Sequence, residues 1–187
     1  MILPIYIYGH SVLRNKCENI DSSFPNLDTI INNMFETMHN ANGIGLAAPQ
    51  IGLSINLFVI DLSPLSDDHP ELKDVKKVFI NPKILKQEGG DWEYDEGCLS
   101  IPGLNDFVSR KKNIKIEYLD QDFNVIKEKI SGIEARVIQH EYDHLLGVLF
   151  IDYLSPKRKN ILNRKLQAIK KGKFQKRYDF LLSKKNK

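Results

Sequence analysis

The pattern of the chain is that of an α+β domain. Strand-like segments stand before and after helical ones, a β-hairpin signature fills residues 114–130, and the helical segments carry their own start and stop residues. At 187 residues the chain is about the length of one domain and can bury a sizeable core. With 42% hydrophobic and 27% charged residues, its composition is that of an ordinary water-soluble globular protein. No apolar run approaches the ~18 residues of a membrane span, so no membrane partner is expected. Neither internal repeats nor low-complexity linkers divide the sequence.

The opening residues, MILPIYIYGH, lack a basic leader region and are broken by Pro4, so they read as a short strand and not as a signal peptide. Asp21, Ser22 and Ser23 offer capping side chains ahead of a helix whose apolar residues Leu27, Ile30, Ile31, Met34, Phe35 and Met38 trace one face. Asn42-Gly43 stops that helix, and His39 falls in its last turn, where a half-exposed histidine is expected. Gly43 to Gln50, GIGLAAPQ, has almost no bulk; it cannot pack a core but lets a backbone approach something closely. Asn56 to Leu62 is a buried strand ended by Ser63-Pro64. Residues 66–77 are polar and charged, an exposed loop with His69 in solvent.

Val78 to Pro82 with Ile84-Leu85 forms a further strand, which the proline places near an edge or a bend. Trp92 to Gly103 is expected as a loop or irregular strand. Alternation at Ile114, Ile116 and Tyr118 and a polar turn from Asp120 to Asn124 make the hairpin. Ser131 with Glu134 has the capping-box spacing for the next helix, which Gly147 closes beyond Leu146. Ser155-Pro156 opens a last helix, with Ile161, Leu162, Leu166 and Ile169 as its apolar stripe and Gly172 as its stop.

The net charge of +3 hides an asymmetry. Residues 157–187 hold thirteen Lys or Arg against one acid, Asp179, while the preceding 156 residues carry a net charge of −9. An acidic body therefore ends in a basic tail, whose default form is a solvated helix. The two cysteines, Cys17 and Cys98, do not make a disulfide scaffold, and a reducing, cytoplasmic setting is expected.

Chemistry concentrates in Gln139-His140-Glu141-Tyr142-Asp143-His144. On a helix, His140 and His144 lie one above the other with Glu141 beside them, a grip for a divalent metal with a general base attached. Spacings of four, three and four put Ile133, Val137, His140 and His144 on one face, so the helix presents ligands and apolar wall together. A catalytic metal requires a third protein ligand. No Glu follows Glu141 and no His follows His144, which turns the search upstream, to His10, Cys17, His39, His69 and Cys98. Cys98 is the best placed, because Gly97 and Gly103 suit a tight loop that brings a thiolate to a fixed point. A Cys-His-His set is able to hold Fe(II), Zn(II), Ni(II) or Co(II).

Three segments in order, Gly43 to Gln50 (GIGLAAPQ), Glu96 to Ser100 (EGCLS) and Gln139 to His144 (QHEYDH), make the chain resemble the peptide deformylases over roughly residues 1–153. The resemblance implies antiparallel strands packed around a central helix that carries HExxH, followed by a C-terminal helix. Residues 1–155 would form the catalytic part and residues 156–187 a basic helix and tail of the same domain. It further implies removal of the formyl group from the formylmethionine of new polypeptides, with release of formate. Cys98, His140 and His144 match the family's metal ligands, with Fe(II) the expected native ion. Gln50, Glu141 and the backbone N–H of Leu99 match its catalytic groups. In that chemistry the metal lowers the pKa of bound water, Glu141 carries the proton, and Gln50 with Leu99 N–H stabilises the oxyanion.

The segment around Ile44 and Gly45 would pair with the substrate backbone, and Ile44, Ile133 and Val137 would wall the methionine pocket. Arg136 is expected in a surface ion pair, with the pocket edge as its alternative. Some members carry an arginine seven residues after the metal cysteine; that position here is Asn105. Organelle-targeted members carry presequences and this sequence shows none, as expected of a bacterial chain or one already processed. Two rival readings use the same residues: a metal-dependent endopeptidase, and a binding module with a closed structural metal site whose basic tail contacts nucleic acid. For a deformylase, that tail implies association with the ribosome.

Overall fold

The computed structural model describes residues 1–183; the last four residues of the basic tail, 184–187, lie outside the described residues. In chain order the elements are β1 (Ile5–Tyr6), α1 (Leu27–Asn40), β2 (Gly45–Ala47), β3 (Leu57–Asp61), β4 (Lys76–Gly97), β5 (Asn105–Leu119), β6 (Val125–Ser131), α2 (Gly132–Leu145), α3 (Pro156–Lys170) and β7 (Phe180–Leu181). Strands β2 to β6 form one antiparallel sheet in sequence order, and β1 pairs with β7 in a separate parallel ribbon. This is the α+β class read from the sequence.

Strand β3 is buried on both faces, and that places the two inner helices. Phe58 and Ile60 share a cluster with Ala135, Val137, Ile138 and Leu145 of α2. Leu57 and Val59 share another with Ile31, Met34 and Met38 of α1. Side chains alternate across a strand, so one apolar run serves two layers. Each such side chain stabilises the fold by roughly 1.5–3 kcal/mol when fully buried. The third cluster joins the ends of the chain: Ile5 and Ile7, Ile101 and Leu104, Phe150 and Ile151, and Leu166 and Ile169 of α3.

Several local expectations are corrected. The cap of α1 is Asn26, left-handed at φ 58° and without a side-chain cap bond, while Asp21 accepts from Ser23 in a separate turn. The Ser131–Glu134 capping box does not form, because Glu134 points to Lys77 at 3.0 Å. The polar segment 66–77 is no free loop: Leu72 is buried, and β4 already begins at Lys76. Pro82 sits in a central strand, tolerated where the register shifts between Ile80 and Lys83. Trp92 to Gly97 is regular strand, paired residue by residue with β5 from Arg110 to Asn105. Short-range composition did not show this because the pairing partner lies 8 to 18 residues away.

Helix α3 begins as read, with Ser155 Oγ accepting from Arg158 N and proline in its first turn. Ile161 is 61% exposed and falls outside the stripe, while Leu166 and Ile169 are buried. Gly172 ends the helix at φ 73°. No helix among the described residues is long and apolar enough to cross a membrane.

Candidate metal centre and active site

Helix α2 carries the centre of the site. His140, Glu141 and His144 project from it toward Cys98, which follows directly on the end of β4. Ligand atoms of Cys98, His140 and His144 all lie within 4.8 Å of one another, the separation expected of donors around a single ion. His144 Nε2 is 3.3 Å from Cys98 Sγ. Burial holds the His144 imidazole well below its usual pKa, which favours the neutral ring with a lone pair to give. His140 Nδ1 is 3.0 Å from Glu96 Oε2, which leaves its other ring nitrogen for the cation.

Glu96 is the anchor behind these ligands. It accepts from Arg110 Nε at 2.7 Å and Nη2 at 3.0 Å, and from Arg136 Nη1 at 2.8 Å, with its side chain 4% exposed. Burial alone would raise its pKa, but the hydrogen bonds from His140 and Arg110 hold it well below the ordinary carboxylate range. Arg110 also donates to Asp143 at 2.6 Å, closing the network back onto α2. Arg136 is accordingly no surface residue. It is 3% exposed, also donates to the carbonyls of Val108 and Trp92, and faces the Trp92 ring at 5.0 Å.

Glu141 has a different environment. It is 4% exposed, and its Oε2 has no hydrogen-bond partner among the described residues. Burial lifts the carboxyl to about 7. A Cβ placed on Gly45 would lie 2.5 Å from Glu141 Oε1, so only glycine lets β2 pass this close. Gln50 is held by a turn of 3-10 helix, residues 48–51, in which its Oε1 accepts from Ala47 N at 2.8 Å. That bond aims Nε2 at Ser100 Oγ, 3.2 Å away, and at Cys98 Sγ, 3.6 Å away. Leu99 N–H meets no acceptor among the described residues.

These groups open into a cavity of about 520 Å³ lined by Ile44, Gly45, Gln50, Cys98, Leu99, Val137, His140 and Glu141, with Arg136 among the other lining residues. His144 stands behind Cys98 and is 1% exposed. Ile133 does not line the cavity; it packs against the core cluster that contains Val137, one turn away on α2. Asn105 is also absent from the lining and turns toward Asp95 at 3.5 Å. Glu96 and Asp143 lie inside the EGCLS and QHEYDH segments, so the motifs contained them without showing their use. Ser100 also lies inside EGCLS, whereas Arg110 and Tyr178 had no sequence signal, because each gains its role only through a contact between distant segments.

Known proteins share this fold and sequence. The family model for polypeptide deformylase matches residues 2–160. A peptide deformylase of Flavobacterium psychrophilum is 52% identical over 180 residues, 92% of this chain and 93% of that protein. The crystal structure of a peptide deformylase from Legionella pneumophila superposes with a TM-score of 0.82 at 38% identity, covering 94% of this chain and 99% of the other. The peptide deformylase structure from Thermus thermophilus gives a TM-score of 0.82 at 40% identity, with 92% and 99% covered. With donor atoms of Cys98, His140 and His144 converging as a metal-binding site, a buried glutamate beside them and these relatives along nearly its whole length, the chain belongs to the polypeptide deformylase family, the enzymes that remove the N-formyl group from nascent peptides.

Proposed function

We propose that the chain deformylates formylmethionyl peptides with Glu141 as proton carrier and with Gln50 and Leu99 N–H as oxyanion donors. Cys98, His140 and His144 would hold one divalent ion, Fe(II) in the cell, with Zn(II), Ni(II) or Co(II) served by the same donors. One observation carries this reading: a single cavity is lined by Glu141, whose buried Oε2 has no hydrogen-bond partner among the described residues, by Gln50 and by Leu99, beside three converging donor atoms. A thiol sulfur with a neutral imidazole, and a second imidazole already oriented by a carboxylate, suits such an ion.

When bound, the ion supplies Lewis-acid chemistry, making water a nucleophile near neutral pH and polarising the formyl oxygen. Glu141 takes a proton from the attacking water and delivers it to the leaving amine, a role suited to a carboxyl poised near 7. As the formyl carbon becomes tetrahedral, Gln50 Nε2 and Leu99 N–H donate to its oxygen; one such donor is typically worth ~3 kcal/mol. Strand β2 is the edge of the five-stranded sheet, so the peptide backbone adds beside Ile44 and Gly45 as a further strand. Ile44 and Val137 wall the methionine side chain, and Ile133 supports Val137 from the core. The test is formate release from a formyl-Met peptide by protein prepared anaerobically with Fe(II). Turnover that disappears on chelation and returns with Fe(II) is expected; no formate from the loaded protein would count against the whole reading.

The cytoplasm is the proposed site of action, and the ribosome a proposed partner through the exposed basic residues of α3. Leu166 and Ile169 are buried and Tyr178 lines the cavity, so removing the tail would damage the body of the enzyme. Neutralising Lys157, Arg164 and Lys165, which are exposed, is the cleaner change. Binding to ribosomes should weaken and its salt dependence flatten while turnover of a short formyl peptide persists. Unaltered binding would remove the ribosome from the reading.

A further inference from the structure

The segment between α3 and β7, residues 171–179, is anchored at both ends and touches the candidate site between them. After Gly172, Lys173 N donates to Ala168 O at 2.9 Å, closing the helix. Beyond it, Ile5 N donates to Asp179 O and Ile7 N to Leu181 O, both at 2.9 Å, as β7 joins β1. Between these anchors the Phe174 ring packs on Phe180, with centroids 4.7 Å apart, and Tyr178 Oη donates to the carbonyl of Leu99. Phe174, Gln175, Arg177 and Tyr178 consequently form part of the cavity wall.

That cavity is larger than one methionine side chain needs; pockets of roughly 300–1,000 Å³ hold ligands of drug size. The residues following methionine therefore also lie within it. Among its charged lining groups, Glu96 and Arg136 are paired with each other, and Glu141 belongs to the proton transfer. Two exposed charges remain at the rim, Asp95 on β4 and Arg177 on the C-terminal segment. Arg177 makes no ion pair with any described residue, whereas its neighbour Lys176 is taken by Asp179 at 3.0 Å. Asn105 donates to Asp95 at 3.5 Å and supplies no cation.

We infer that Arg177 forms a carboxylate-binding subsite, so that the enzyme favours an acidic side chain at the second or third residue of the formylmethionyl peptide. The inference rests on the deformylase reading above. The backbone of Arg177 is anchored on both sides, and its planar guanidinium fork matches the two oxygens of a carboxylate. Asp95 also lines the cavity and is exposed, so it opposes a carboxylate that comes near it and leaves Arg177 as the favourable charged contact.

The test uses the full-length, Fe(II)-loaded enzyme and C-terminally amidated peptides that differ only in charge: formyl-Met-Ala-Glu, formyl-Met-Ala-Ser and formyl-Met-Ala-Lys, with formyl-Met-Glu-Ala to locate the position. At low ionic strength the Glu peptide should exceed the Lys peptide in kcat/KM by about two- to fivefold, the scale of an exposed ion pair. The difference should lie in KM, because the contact is equal in ground and transition states. Arg177→Glu should invert the Glu-to-Lys ratio, Arg177→Gln should bring it to one or below because Asp95 still lines the cavity, and added salt should move every ratio toward one. Each ratio is internal to one enzyme, so a change in overall activity does not disturb the comparison. A wild-type ratio of one, or one that both variants leave unchanged, overturns the subsite while formate from the Ser peptide keeps the parent reading standing. Absence of formate from all the peptides overturns both.

Discussion

Glu141→Gln is expected to lower kcat/KM for a short formyl-Met peptide by about 10²–10⁴-fold, the range lost with a positioned general base. The amide keeps the volume that fits beneath Gly45, where a Cβ would stand 2.5 Å from Glu141 Oε1, so packing survives and proton transfer does not. Metal content, measured on the purified protein, should remain at the wild-type level because the three donor atoms are untouched. The outcome separates the rival readings of the same residues. A closed structural metal site has no use for Glu141, and full activity in the variant would sink the assignment of this residue. An endopeptidase would lose cleavage of unformylated peptides instead, which a parallel assay reads directly.

The second large effect is on stability. Glu96→Ala removes the carboxylate that answers Arg110 and Arg136, both buried, and that orients His140. Leaving a buried cation without its partner costs about 3–5 kcal/mol. At roughly 2–4 °C per kcal/mol for a chain of this size, the Tm should fall by about 6–20 °C. Asp143 still pairs with Arg110, so the loss should lie nearer the lower end if Arg136 finds water through the cavity it lines. Metal affinity should drop by about 10–100-fold, since His140 loses the group that fixes its ring. A variant that melts like wild type and binds metal equally well would show that Glu96 is not the anchor of the site.

Within the fold, the parts legible in the sequence are those written in local periodicity. Apolar spacing outlined α1, α2 and α3, the double-sided burial of β3 followed from an unbroken apolar run, and Ser155-Pro156 and Gly147 marked real helix ends. Capping was less readable. The side chains of Ser131 and Glu134 had the right spacing, yet Lys77 from β4 took Glu134 away. Asn26 instead began α1 through a left-handed backbone that no capping pattern announces. The long continuation of β4 from Trp92 to Gly97 was hidden because its residues alternate too weakly to be read alone and become a strand only against β5.

By itself the sequence determined the chemistry available: two histidines and a glutamate at helical spacing, a glycine-flanked cysteine, and a nearly side-chain-free segment ending in Gln50. Three ordered segments identified the family, because such residue types in that order leave few alternatives. The tertiary structure alone decided how these groups are held. Arg110, Asp143, Glu96 and Arg136 form one buried network, and Ile133 faces the core while Val137 faces the cavity. The basic tail folds back so that Tyr178 grips the Leu99 carbonyl and Arg177 reaches the rim. The physical reason is range. Helix and strand periodicities act between residues a few positions apart, whereas a hydrogen bond between Tyr178 and Leu99 spans 79 positions and exists only after the sheet, α2 and the β1–β7 ribbon have fixed where each end lies.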